Sequence, residues 1–202
     1  EYDSFGRPYS VYRPVPTQTS SGAYASFASI NPELLKFYNW EVYTFSKTLY
    51  EDSPLDRPVE KYGPGSLWHT RGKSVRTEYL VNEATGVLSC GLYLVSSDTS
   101  LTRSGVFPSG SLSVVKTTDE DGDVTLSFTD RLGRKVLERR LDGDIRLDTH
   151  YVYDDLGLTR YVLTPEASAA MSSDGTFGDS SAPVAGLSYV YKYDGKGRCS
   201  SK

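Results

Sequence analysis

The sequence predicts an all-β chain of antiparallel hairpins that form an open, curved sheet with one or two short helices. Three observations carry this expectation. Tyrosine dominates the aromatics, with 16 Tyr against 7 Phe and 2 Trp, and a ring that packs while its hydroxyl stays wet suits a half-buried strand face. Short segments of strand character are bounded by Gly, Pro, Asp, Asn and Ser. A Tyr-Asp-x-x-Gly-Arg string recurs along the chain.

The elements follow in order. Asn31-Pro32-Glu33 opens a helix near 32–38, with an N-cap residue, Pro at the first helical position and an early Glu. Thr164-Pro165-Glu166 repeats that logic near 165–171. Val75, Thr77, Tyr79 and Val81 alternate and share one strand face. Val87 to Val95 is more continuously apolar and reads as a strand buried on both sides. Leu112–Lys116 and Val124–Phe128 flank Asp119-Glu120-Asp121-Gly122, a hairpin turn. Arg134–Leu141 and Ile145–Tyr153 flank Asp142-Gly143-Asp144, another. Residues 14–42 and 171–186 interrupt the pattern as insertions or loops, and the second, rich in Ser, Gly, Asp and Ala, reads as mobile.

Composition narrows the function classes. The 202 residues have apolar content of 38% and suffice for one domain with a real core. Net charge is −4 with both signs mixed, so no basic stripe points to nucleic acid. No apolar run approaches the roughly 20 residues of a membrane span. Cys90 and Cys199 lie far apart and form no Cys-x-x-Cys, so two independent thiols are expected.

The repeat is the strongest signal. Tyr2-Asp3-Ser4-Phe5-Gly6-Arg7 is matched by Thr129-Asp130-Arg131-Leu132-Gly133-Arg134, by Tyr153-Asp154-Asp155-Leu156-Gly157-Leu158 and by Tyr193-Asp194-Gly195-Lys196-Gly197-Arg198. A degenerate copy runs from Tyr50 through Glu51 to Arg57. Physical chemistry explains the spacing. Tyr ends a strand and lays its ring on the sheet. Asp accepts hydrogen bonds from backbone N–H groups two residues on and starts a type I turn. Gly supplies positive φ for a three-residue hairpin with a bulge. Arg begins the return strand, where its stem can cover a Tyr ring. Such a unit cannot bury its own face and must stack on neighbours.

These motifs resemble the YD-repeat (Rhs-repeat) proteins, in the form common in large surface or secreted proteins of Bacteroidetes-like bacteria. Thr118–Gly122, Phe128–Arg134, Asp148–Asp155, Tyr161–Ala167 and Leu49–Pro58 add to the resemblance, which is densest from about 117 to 167. It implies a β spiral that winds into a hollow shell, which in toxin members encloses a C-terminal effector. Other members display long β structures at the cell surface and bind glycans or neighbouring cells. The segment that closes such shells and releases the effector needs Asp-Pro and Asn-Pro-rich motifs. This chain has no Asp-Pro, and Asn31-Pro32 stands in another context, so neither self-cleavage nor a toxin is expected.

Candidate chemistry is sparse. Gly178-Asp179-Ser180-Ser181 resembles a trypsin-like nucleophile segment until Ala182-Pro183 breaks it. Asp119, Asp121 and Asp123 are spaced like calcium ligands, but Gly122 falls one place early and no Glu follows at the right distance. His69 and His150 are the only histidines. No catalytic, cofactor or metal residue is therefore assigned. The expectation is one YD-repeat β domain over 1–202, a slice of a longer extracytoplasmic chain. It would serve as a non-catalytic shell segment whose partners are adjacent repeats and an enclosed effector. The alternative is a surface module for glycans or a protein, with Trp40, Trp68, Tyr62 and Tyr93 as its rings.

Overall fold

A computed structural model describes residues 1–16 and 22–202. The portion of the expected 14–42 insertion at 17–21 lies outside the described residues. The chain forms β1 (Ser10–Tyr12), α1 (Phe27–Phe37), β2 (Phe45–Tyr50), β3 (Pro58–Tyr62), α2 (Ser66–Thr70) and β4 (Val75–Val81). Next come β5 (Gly91–Ser97), β6 (Ser100–Val106), β7 (Ser113–Thr118), β8 (Val124–Thr129), β9 (Lys135–Asp142) and β10 (Ile145–Tyr153). It ends with β11 (Thr159–Leu163), α3 (Pro165–Ala170), β12 (Gly175–Gly178), α4 (Ala182–Leu187), β13 (Ser188–Val190), β14 (Lys192–Tyr193) and β15 (Cys199–Ser201). The fold is all-β, with antiparallel sheets and a few short helices.

Where a single domain was expected, the contacts group into two compact units. The first holds Glu1–Thr77 with Thr118–Gly122, and the second holds Glu78–Thr117 with Asp123–Lys202. In the first, β1, β2, β3 and the start of β4 pair in order, with Val11 opposite Ser46 and Glu60 opposite Arg76. Leu34 of α1 is buried there. The helix begins at Phe27 rather than near 32, after an N-cap at Ser26, and Pro32 falls inside it. Pro32 lacks the N–H that a helix interior uses, so the Asn31-Pro32 start signal is overridden by the chain around it.

In the second unit, β7, β8, β9, β10, β11 and β13 are neighbours in that order, and β12, β6 and β5 form a smaller sheet. Alternation fixes the inner face: Leu126 and Phe128 on β8, His150 and Val152 on β10, and Tyr161 and Leu163 on β11 are buried. One core cluster joins Tyr93, Leu101, Val152, Tyr161 and Leu163 to Ala167, Met171 and Val184. A second holds Cys90, Leu112, Val114, Leu126, Phe128, Val136 and Leu137. Asn82, 1% exposed, pins the 107–112 turn. Its Nδ2 donates to the Phe107 and Pro108 carbonyls, and its Oδ1 accepts from Leu112 N–H.

Three expectations are corrected here. Residues 171–186 are not a loose loop. Met171 and Val184 are fully buried, Phe177 packs on the same core, and Thr176 of β12 pairs with Thr102 of β6. Val87–Val95 is not one continuous strand. A 3-10 turn occupies Gly86–Leu88, the strand starts at Gly91, and Val87 and Leu94 are exposed. Helices α2 and α4 add to the one or two expected. Only α3 falls where its signal placed it, with Thr164 as N-cap accepting from Ala167 N–H.

Candidate functional site

The repeated turns share one geometry. In each, the Asp backbone oxygen accepts from the Gly N–H three residues on, at 3.0 Å for Gly6 and Gly133 and 2.9 Å for Gly157 and Gly197. The Asp N–H donates back across the turn to Arg7, Arg134, Leu158 or Arg198. The glycines lie at φ of +78°, +79°, +80° and +74°, where a Cβ is disfavoured. Each Asp Oδ1 accepts two N–H groups, two and four residues on: Phe5 and Arg7, Leu132 and Arg134, Leu156 and Leu158, Lys196 and Arg198. Its Oδ2 receives Nε of the turn's arginine, at 2.7 Å in Asp3, 2.8 Å in Asp130 and 2.8 Å in Asp194. Desolvation pushes the Asp3 and Asp130 carboxyls up, but the N–H and guanidinium donors outweigh it and hold both below the usual range. At Asp194 the Arg198 N–H and guanidinium lower it directly.

A bulge at one position follows four of the turns, those of residues 50–57, 129–134, 153–158 and 193–198. Val59, Val136, Arg160 and Ser200 are the extra residues of their return strands. At the copy of residues 153–158, Leu158 stands where the others carry Arg, and the bulge brings Arg160 Nη1 to 3.6 Å from Asp154 Oδ2 instead. The degenerate copy keeps the logic with other residues. Glu51 receives both Nε and Nη2 of Arg57, at 2.6 Å and 2.7 Å. Asp56 takes the glycine's left-handed place at φ +53°.

Successive turns are joined through tyrosine, a link that the sequence alone did not reveal. Tyr50 donates its hydroxyl to the Pro8 carbonyl at 3.1 Å, Tyr153 to Lys135 at 2.8 Å and Tyr193 to Thr159 at 2.9 Å. Each acceptor directly follows the arginine position of the preceding turn. That arginine covers the ring: Arg7 lies 4.7 Å from the Tyr50 centroid and Arg134 lies 4.8 Å from that of Tyr153. Thr129 brings no ring, so within the second unit the ladder starts at its turn and runs through Tyr153 to Tyr193.

A buried polar cluster underlies the ladder in the second unit. Arg139, 4% exposed, forms a two-pronged ion pair with Asp148, directly opposite on β10, at 2.7 Å and 2.5 Å. Its Nη1 also donates to the Val87 and Ser89 carbonyls, which holds the 3-10 turn in place of the expected strand. His150 Nδ1 lies 3.0 Å from Ser168 Oγ on α3, and its Nε2 has no partner among the described residues. Burial pulls its pKa down to about 4. It lines a cavity of about 170 Å³ with Gly91, Tyr93, Arg134, Tyr151 and Tyr153. Cys90 is buried and its thiol is pushed up to about 12 by desolvation, whereas Cys199 is exposed.

The remaining candidates take structural partners. Asp179 accepts the Tyr161 hydroxyl at 2.8 Å, and Ser181 Oγ donates to the Gly178 carbonyl. Asp119 accepts the Asp121 N–H, and Asp121 pairs with Lys73 at 2.7 Å. His69 is stacked on Tyr43 at 4.3 Å and on Tyr62 at 5.4 Å. Glu41 accepts the Ser66 hydroxyl and N–H and the Tyr43 N–H, which hold its carboxyl at about 2. Of the four rings offered for binding, Tyr93 is core, Trp68 packs on the Gly63–Gly65 bend, Tyr62 stacks on His69, and Trp40 stands 71% exposed. Among the described residues no helix is long and apolar enough to cross a membrane. No curated protein matches the chain. Residues 1–81 match a family model described as a domain of unknown function, DUF6443, over less than half of the 202 residues and closing near the Thr77 boundary of the first unit.

Proposed function

We propose that the chain is a non-catalytic structural segment of a large YD-repeat (Rhs-type) shell protein outside the cytoplasm, which encloses or displays a C-terminal effector. What supports this is the tyrosine ladder. The Asp, Arg and Tyr groups of the repeat are spent on closing each turn and tying it to the one before, and such units stabilise one another only in an array. Electron cryomicroscopy of the parent protein tests it. The expected result is this segment within a continuous β wall around an interior chain. A segment standing apart as a free globular module would overturn it.

A second reading is a surface module for a glycan or protein partner. Trp40 and Phe37, at the end of α1, and Tyr24 before it favour it, because all three rings are exposed. Glycan-array binding that is lost on Trp40→Ala would select this reading over the first.

A further inference from the structure

We propose that the outer edge of β15, with Arg198 and the Cys199 carbonyl at its end, receives one more strand that closes on a tyrosine followed by an aspartate turn. This rests on the array reading above and names the surface through which the array continues. Three internal joints define such a surface: all three offer a carbonyl that accepts a tyrosine hydroxyl, and two of them, at Arg7 and Arg134, add an arginine held by its own turn that covers the ring.

Arg198 supplies the arginine. It makes the same bonds to Asp194 that Arg134 makes to Asp130, with Nε at 2.8 Å in both. Its guanidinium is therefore already aimed. Yet its side chain is 73% exposed, against 11% for Arg7 and 31% for Arg134, which cover rings. Cys199 supplies the carbonyl. It pairs with Tyr193 as Lys135 pairs with Thr129 and Thr159 with Tyr153, so its carbonyl sits at the acceptor position. β15 pairs with β14 on one side, and all three of its residues are exposed. A strand edge in that state adds an extended segment through main-chain hydrogen bonds, with the terminal tyrosine setting register and specificity.

The occupant is a strand of the type that precedes the other turns. Ile145–Tyr153, with its following turn, docks in this manner beside Lys135 within the second unit. At the other end of the repeat series Tyr2 pairs with Pro8 and is 74% exposed, the ring half of the same joint without a covering arginine among the described residues. Tyr2 stands in an isolated bridge outside any strand and so closes no strand that could pair with β15, which makes a second copy docked through Tyr2 the weaker occupant.

The test uses the 202-residue protein and a fluorescent peptide spanning Ile145–Leu158, followed by anisotropy. Saturable binding below about 1 mM is expected. Protein Arg198→Ala and peptide Tyr153→Ala should each weaken it roughly threefold to tenfold. Tyr153→Phe should fall between. Arg198→Lys, which keeps the charge and loses the flat guanidinium, should behave like Arg198→Ala, with matched melting curves showing that both variants fold. No saturable binding, or binding untouched by all of these changes, overturns the proposal. So does concentration-dependent self-association that Tyr2→Ala abolishes, because a second copy would then be the occupant. The parent's β wall is read separately by microscopy, so either idea can fail without the other.

Discussion

The phenol of Tyr153 is fixed by two neighbours of one preceding turn: Arg134 covers its ring at 4.8 Å, and Lys135 offers its carbonyl to the hydroxyl at 2.8 Å. Tyr153→Phe removes one hydrogen bond and should lower unfolding free energy by about 1 kcal/mol. Tyr153→Ala also removes the covered ring and should cost about 3 kcal/mol or more. Urea melts of the three proteins check the order, and equal stabilities would sink the joint as a structural link.

Gly133 sits at φ +79° with nothing near a would-be Cβ, so any cost there is conformational rather than steric. Gly133→Ala should destabilise by about 1–2 kcal/mol, and Gly133→Val by more. Gly186 is the control. It lies in α4 with ordinary φ and open space, and Gly186→Ala should stabilise by up to about 1 kcal/mol. Matched thermal melts showing the same sign at both sites would contradict the turn geometry.

Arg139 satisfies Asp148 and two carbonyls at once. Arg139→Ala leaves the half-buried Asp148 carboxylate and two carbonyls without their partner and should cost about 3 kcal/mol. The double change Arg139→Met with Asp148→Leu should recover much of that loss, because no charge then remains buried. A double variant no better than Arg139→Ala would show that the carbonyl bonds, not the ion pair, dominate.

Acid should act in two separable windows. His150 is depressed to about 4 by burial, below its unfolded value near 6.5. Its neutral form is therefore favoured by folding. That contribution, on the order of 3 kcal/mol, is complete above pH ~6.5 and is lost as pH falls toward 4. The carboxyls of Asp3, Asp130 and Asp194 are also depressed, so what they contribute is present above their unfolded value of about 4 and lost only as pH falls through their lower folded values. Unfolding free energies at pH 7 and pH 4.5 should differ less in His150→Gln than in the natural protein. An unchanged difference would assign the window to other groups.

The two thiols should be told apart by a reagent. Cys199 is exposed and should react with a thiol probe in the native state, while Cys90 should react only after unfolding. One fast equivalent in buffer and two in denaturant is the expected count.

The turns were legible because their chemistry is local: an aspartate and a glycine three residues apart fix a hairpin with no help from the rest of the chain. The Arg139–Asp148 pair could also have been read. The two residues stand equally far from the Gly143-Asp144 turn, so a two-residue hairpin sets them face to face. What hid it was the habit of placing charged strand residues in solvent. Residues 171–186 misled for the opposite reason. Their Ser, Gly and Asp content is that of a loop, and the few apolar side chains that matter, Met171, Phe177 and Val184, are spaced without period. The core they complete includes Tyr93 and Leu101, far away in sequence, as well as nearby Leu163 and Ala167. Asp56 marks a further boundary. No spacing rule announces that an aspartate will stand in the left-handed place that glycine holds elsewhere.

The tyrosine hydroxyls dock onto Pro8, Lys135 and Thr159, three residues with nothing in common but a peptide oxygen. Because every amino acid carries that atom, mutation can rewrite the receiving position freely while the joint persists. Of the two sides of this hydrogen bond, only the donor is under chemical constraint. Divergence among such chains should therefore be lopsided, with tyrosine retained at the close of the strand and the residue that receives it drifting, as the set Pro8, Lys135 and Thr159 already illustrates.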